Sequence, residues 1–154
     1  MLLETTRFGL VDVDESQAFE IPTGIPGFPD LRRAVLFGGG TAPGQATGDT
    51  HNLYWLQDLD DGALAFMCVV PFAPFPDYDF EIDEQGLGIE DPEDVTVLTI
   101  VTVRREGGVA EMSTNLRAPL IIDRRNRRLH QVILPDSTWP VRARFAELVS
   151  NGGR

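Results

Sequence analysis

Short hydrophobic runs rich in valine, isoleucine and aromatics recur along this 154-residue chain. Gly, Pro and Asp interrupt the runs about every ten residues, the rhythm of an antiparallel sandwich or barrel. The pattern predicts strands near Phe8–Val13, Gln17–Ile21, Ala34–Phe37, Leu53–Gln57, Ala63–Val70, Asp79–Ile82, Val95–Val103, Val109–Thr114, Ala118–Ile122 and Leu129–Leu134. Val95–Val103 is the most strongly marked. Its Val95, Val97, Val101 and Val103 share one face and its Leu98 and Ile100 the other, so both faces are apolar and a central position is expected. Only two segments favour helix. One is a short turn from about Glu84 to Leu87. The other is Val141–Val149, where Val141, Phe145, Leu148 and Val149 fall on one helical face and Asn151-Gly152 supplies a stop.

Three connections follow from turn chemistry. In Ile25-Pro26-Gly27-Phe28, proline presets the first central residue and glycine accepts a positive φ at the second, which specifies a type II turn. Asp60-Asp61-Gly62 closes a hairpin between Leu53–Gln57 and Ala63–Val70. Arg124-Arg125-Asn126-Arg127 closes another between Ala118–Ile122 and Leu129–Leu134. The glycine-rich stretch Gly38–Gly48 reads as a flexible loop. The prolines of Pro71–Pro76 lack donors, so a rigid extended connection is expected there.

Within Asp77-Tyr78-Asp79-Phe80-Glu81-Ile82-Asp83 acid and apolar residues alternate. Extended backbone places Asp77, Asp79, Glu81 and Asp83 on one face and Tyr78, Phe80 and Ile82 on the other. Like charges then recur roughly every 7 Å. Such a row opposes folding, although water and salt screen much of the repulsion at an exposed site. It is either the solvated face of a half-buried strand or a docking surface for a cationic partner.

Charge sharpens the second reading. From Ala34 to Val103 there are thirteen carboxylates and no basic residue, more than the chain's net charge of -11. From Arg104 onward, ten arginines face five carboxylates. A molecule this lopsided suits oriented docking to another protein. All thirteen basic residues are arginine, which removes the Walker-A lysine, lysine Schiff bases and lysine general bases. His51 and His130 have no ligand-spaced neighbours, so no metal site or cofactor is expected. The triple glycine precedes no Gly-Lys-Ser/Thr, and Ser137 reads as a turn residue rather than a nucleophile. The carboxylates of Glu90–Asp94 have no histidine or lysine partner for acid–base work. The arginines at 124, 125, 127 and 128 could touch RNA phosphate, but an acidic chain repels nucleic acid and no stacking aromatics interleave them. Length and a 42% hydrophobic share support one globular domain with a core of its own. A single cysteine, Cys68, permits no internal disulfide, and no signal peptide or membrane-spanning run is seen, so a cytoplasmic location is the expectation.

The residues also carry a family pattern. In order, Ile21-Pro22-Thr23-Gly24-Ile25-Pro26-Gly27-Phe28, Tyr54-Trp55-Leu56-Gln57, Leu64-Ala65-Phe66, Pro71-Phe72, Phe75–Glu81, Pro92–Val95, Ile100-Val101-Thr102, Asn115–Ile122 and Gln131–Leu134 resemble the flagellar assembly factor FliW family, over about Phe8 to Ser137. The resemblance implies an all-β fold, a small antiparallel β-barrel-like single domain, to which the sequence adds one short C-terminal helix. Residues 1–140 form the expected β domain and 141–154 a helical extension.

The resemblance further implies a protein without catalytic function that binds flagellin and the translational repressor CsrA, an RNA-binding dimer. Sequestering CsrA would free flagellin messenger RNA for translation, and accumulating flagellin would take the factor back. Candidate partner-binding residues are the polar members of the pattern, Asp77, Asp79, Glu81 and Asn115, with Asn115 also readable as a turn former. Asp123 stands where the family commonly has asparagine. The rival class is a β-barrel enzyme or small-ligand binder using the acidic cluster. A deep apolar pocket with convergent carboxylates of raised pKa would mark the rival, a broad acidic surface the regulator.

Overall fold

The computed structural model describes residues 1–38, 52–135 and 138–149. Eleven strands are described: β1 Leu2–Thr5, β2 Gly9–Asp12, β3 Phe19–Glu20, β4 Arg33–Phe37, β5 Leu53–Asp58, β6 Ala65–Val69, β7 Val95–Glu106, β8 Val109–Thr114, β9 Leu120–Asp123, β10 Arg128–Gln131 and β11 Ala143–Val149. Seven of them, in the order β7-β6-β5-β4-β3-β10-β9, form a sheet that closes on itself because β9 also pairs with β7. Every pairing in this ring is antiparallel except β3–β10, a parallel bridge between Glu20 and Arg128. The all-β, barrel-like fold read from the sequence is therefore present.

β7 is long enough to serve two sheets. Its first residues, Val95–Leu98, pair with β9 inside the ring, and Val101–Glu106 leave the ring to pair with β8. β11 adds to the far side of β8. Inside the barrel, Phe19, Ile21, Leu56, Cys68, Leu98, Leu120, Ile122 and Leu129 interlock as one core, joined by Ile25, Leu31 and Ala34. Outside, the β1–β2 hairpin packs Leu3 and Val11 over Val35 and Leu59. The β7–β8–β11 flap packs Val101, Met112 and Phe145 over Val69, Leu53 and Met67. Both outer faces of the central strands are thus apolar and covered, which explains the two-faced hydrophobicity of β7.

The expected C-terminal helix over Val141–Val149 is corrected: Ala143–Val149 is strand β11. The open edge of β8 offers a ladder of backbone partners, and tertiary pairing overrides a helical spacing of apolar residues. A bulge between Arg144 and Ala146 shifts the register, and both Phe145 and Ala146 pack against the flap's core. The extended run Asp79–Ile82 gains no ladder partner, so the strand expected there is only an extended connection. The strand expected over Gln17–Ile21 shortens to β3, because Glu15–Gln17 forms a single 3-10 turn capped by Asp14. Strand β1, absent from the sequence reading, is held by β2. From Gly39 on, the Gly38–Gly48 loop lies outside the described residues, as do His51, Ser137 and Asn151-Gly152.

The turns follow their chemistry. Gly27 has φ +87, and Phe28 N–H donates to Ile25 O at 2.6 Å, as the Pro-Gly turn requires. The β5–β6 hairpin is pinned from within by fully buried Gln57, whose Nε2 lies within hydrogen-bond reach of four turn carbonyls and is nearest to those of Asp58 at 3.0 Å and Leu64 at 3.1 Å. In the β9–β10 turn, buried Asp123 accepts from Arg125 N at 3.1 Å, Asn126 N at 3.2 Å and Asn126 Nδ2 at 2.9 Å.

That turn gives a pH-dependent prediction. Burial raises the Asp123 carboxyl, but the Asn126 side chain and amide, the Arg125 amide and the Arg128 charge outweigh it and hold the group below its ordinary value. With the folded pKa lowered, its stabilisation is complete above the unfolded value of about 3.9 and is lost as pH falls through the lower folded value. Asp123→Ala should therefore cost about 1–3 kcal/mol at pH 7. Urea unfolding repeated down the acid range should show the gap between the two proteins narrowing.

Candidate protein-docking surface

The extended connection expected over Pro71–Pro76 is corrected: the strap over residues 71–83 begins as successive turns, with Phe75 N–H donating to Pro71 O at 2.9 Å and Tyr78 N–H to Phe75 O at 3.0 Å, and one side chain fixes it. Tyr78 is buried, its hydroxyl donates to Leu116 O at 2.7 Å, and burial raises its phenol pKa. Its ring meets Phe72 at 5.7 Å, Phe80 at 5.1 Å and Trp139 at 5.0 Å, the last edge to face. Trp139 in turn donates its indole N–H to Asp79 O at 2.9 Å. With the apolar members turned inward, Asp77, Asp79, Glu81 and Asp83 are all exposed. The period of two survives without a ladder because this aromatic cluster, rather than a neighbouring strand, selects the face.

The row differs from the other acids in what neutralises it. Asp60 is paired with Arg33 at 2.8 Å, Asp94 with Arg125 at 2.6 Å, and Glu111 with Arg144 at 3.1 Å. Among the described residues no ion pair involves Asp77, Asp79, Glu81 or Asp83. Beside the row lies a groove of about 500 Å³ lined by Asp79, Phe80, Glu81, Leu134, Pro135, Thr138 and Trp139. Asp79 and Glu81 thus share one accessible surface, while Asp77 is exposed in the preceding turn and does not line the groove. Asn115 does not present its oxygen there: Oδ1 accepts from Arg117 N at 3.0 Å and Ala118 N at 3.1 Å, capping the turn that carries Leu116. The sequence reading missed the opposite wall. Its one signal was a tryptophan held between threonine and proline in an otherwise polar stretch.

The other candidates are occupied internally. Arg124 bonds Thr96 Oγ1 and Glu93 O, Arg125 bridges Asp94 and Glu90, and Arg127 lies 3.9 Å above the Phe19 ring while bonding Gln17 O. These arginines fasten the hairpin tip to its surroundings, in line with a structural role. Burial pushes the Cys68 thiol up to about 12, which removes it as a nucleophile. Burial, aided by the Arg128 charge and opposed by Asp123, lowers His130. Burial raises Asp58, but its carboxylate accepts from Asp60 N at 2.8 Å and serves the β5–β6 turn. Among the described residues no three His, Cys, Asp or Glu side chains converge as a metal site.

The architecture defines a class: a small closed β-barrel carrying an acidic, aromatic-walled surface. The family described as FliW protein matches residues 2–145, and the chain belongs to that family. It is 37% identical to the flagellar assembly factor FliW of Alkaliphilus metalliredigens over 142 residues, covering 90% of this chain and 82% of that protein. It is 31% identical to the Treponema denticola protein of the same name, covering 100% and 99%. A crystal structure of the flagellar assembly factor FliW superposes with a TM-score of 0.79 at 26% identity, covering 94% of this chain and 96% of the other. These matches span the whole barrel, not one motif.

Proposed function

We propose that this protein is a flagellar assembly factor of the cytoplasm that binds flagellin and antagonises the translational repressor CsrA, coupling flagellin level to flagellin translation. The observation that carries the reading is the exposed acid row, without an ion pair among the described residues, on a chain of this family. A basic RNA-binding protein is drawn to such a surface, and the same field lowers RNA affinity beside the occupied site even without covering it. Asp58, whose carboxyl is raised by burial, lines a pocket with Asp60 and Asp61, but Asp58 accepts from Asp60 N at 2.8 Å and Asp60 is paired with Arg33 at 2.8 Å, which favours a role in the β5–β6 turn over acid–base chemistry.

Replacing Asp77, Asp79 and Glu81 together with asparagine, asparagine and glutamine should slow CsrA association about tenfold at low salt while leaving the urea midpoint unchanged. Raising salt should slow the wild type more than the variant. Stopped-flow mixing measures both, and equal rates without salt dependence would reduce the row to solvated surface.

The regulatory reading has its own experiment. A standard interface occupies about 800 Å² per partner, about a tenth of a small protein's surface, so the switch requires that the two sites overlap or couple negatively, each then weakening the other by the same factor. Flagellin added to a preformed CsrA complex should release CsrA and restore its grip on a flagellin leader RNA. A ternary complex with unchanged affinities would leave flagellin binding without the switch.

A further inference from the structure

We infer that the groove between Asp79–Glu81 on one side and Leu134, Pro135, Thr138 and Trp139 on the other accepts one arginine side chain projecting from an extended segment of a protein partner. This rests on reading the acid row as a docking surface, and it names the group that enters. The groove combines two chemistries in a space of about 500 Å³: carboxylates at Asp79 and Glu81, and an apolar wall from Phe80, Leu134, Pro135 and Trp139. An arginine matches both, because its methylene stem covers apolar surface while the guanidinium stays at the charged rim. Side chains two residues apart on extended backbone stand roughly 7 Å from one another. A compact ammonium reaches one such carboxylate at a time, whereas the five donors of a guanidinium form a wide fork that addresses both. Among the described residues no arginine is ion-paired with Asp79 or Glu81: Arg33, Arg125 and Arg144 are each paired with other acids, and Arg117 Nε donates to Trp139 O at 3.0 Å. The groove is prepared on its own side, since the Trp139 indole is fixed to the Asp79 carbonyl and Tyr78 fixes the strap beneath.

The test uses the full chain, labelled with nitrogen-15, and follows the Trp139 indole N–H signal, which reports on the Asp79 carbonyl it bonds. Trp55→Phe assigns it, because the chain has two tryptophans. The probe is acetyl-Gly-Arg-Gly-amide, with the lysine and the uncharged citrulline tripeptides as controls. The arginine probe should shift the signal saturably, with lysine weaker and citrulline at least tenfold weaker. Asp79→Asn with Glu81→Gln should weaken the arginine probe at least tenfold. Thr138→Arg, at an exposed groove position, should abolish the shift by filling the groove from within. Equal titration by citrulline, or binding that survives Thr138→Arg, overturns the inference. Intact CsrA is titrated in parallel to separate the two readings. Salt-sensitive CsrA binding with no arginine response removes the groove and leaves the proposed function standing. An arginine response without CsrA binding does the reverse.

Discussion

Tyr78→Ala is expected to lose about 3–5 kcal/mol of stability and, where it remains folded, to weaken partner binding without changing a single charge. The ring is buried against Phe72, Phe80 and Trp139, and its hydroxyl satisfies the Leu116 carbonyl. Removing it leaves a cavity and an orphaned acceptor together. Tyr78→Phe isolates the second effect, at about 1–3 kcal/mol, and keeps the protein measurable if the alanine variant does not fold. Because the acids remain, a loss of CsrA association in Tyr78→Phe at unchanged salt dependence would show that the row acts through its placement. Normal association would show that the strap need not be fixed.

The second large effect is expected at Gly62→Ala, about 3 kcal/mol or more. A Cβ there would sit 1.9 Å from the Glu4 carbonyl oxygen, and backbone of β1 cannot retreat while Thr6 N–H donates to Gly62 O at 3.0 Å. Gly9 supplies the contrast: its φ is +70 but nothing lies within 4 Å of its Cβ position, so Gly9→Ala should cost only about 1–2 kcal/mol of backbone strain. Urea midpoints of the two variants, at unchanged slope, measure the difference.

These cases show what a sequence can disclose. Ring strands such as β5, β7 and β9 were legible as short apolar runs bounded by turn residues, since strands covered on both faces need not alternate. Gly27 and the Asp60–Gly62 hairpin were legible because their turn chemistry is local. β11 was misread because its apolar spacing fits a helix, and only the open edge of β8, distant in sequence, decides otherwise. β1 is four residues long and acquires its alternation of exposed and buried positions only once β2 lies beside it. At the docking surface the acid row was legible and its other wall was not. Leu134 and Trp139 reach Asp79 through the fold, and no periodicity connects residues so far apart.

The parallel bridge between Glu20 and Arg128 has a consequence for how the chain comes to be folded. It joins an early strand to a late one and completes the ring, so closure waits until nearly all the sequence is present. During synthesis at the ribosome, β4, β5 and β6 can pair as successive hairpins, but the core they share remains open to water until β9 and β10 arrive. Closing so long a loop places the protein among the slower, millisecond-to-second folders and exposes its apolar strands meanwhile. Nascent chains truncated before Arg128 should therefore be captured by chaperones that bind extended apolar segments, and release should coincide with the appearance of β10.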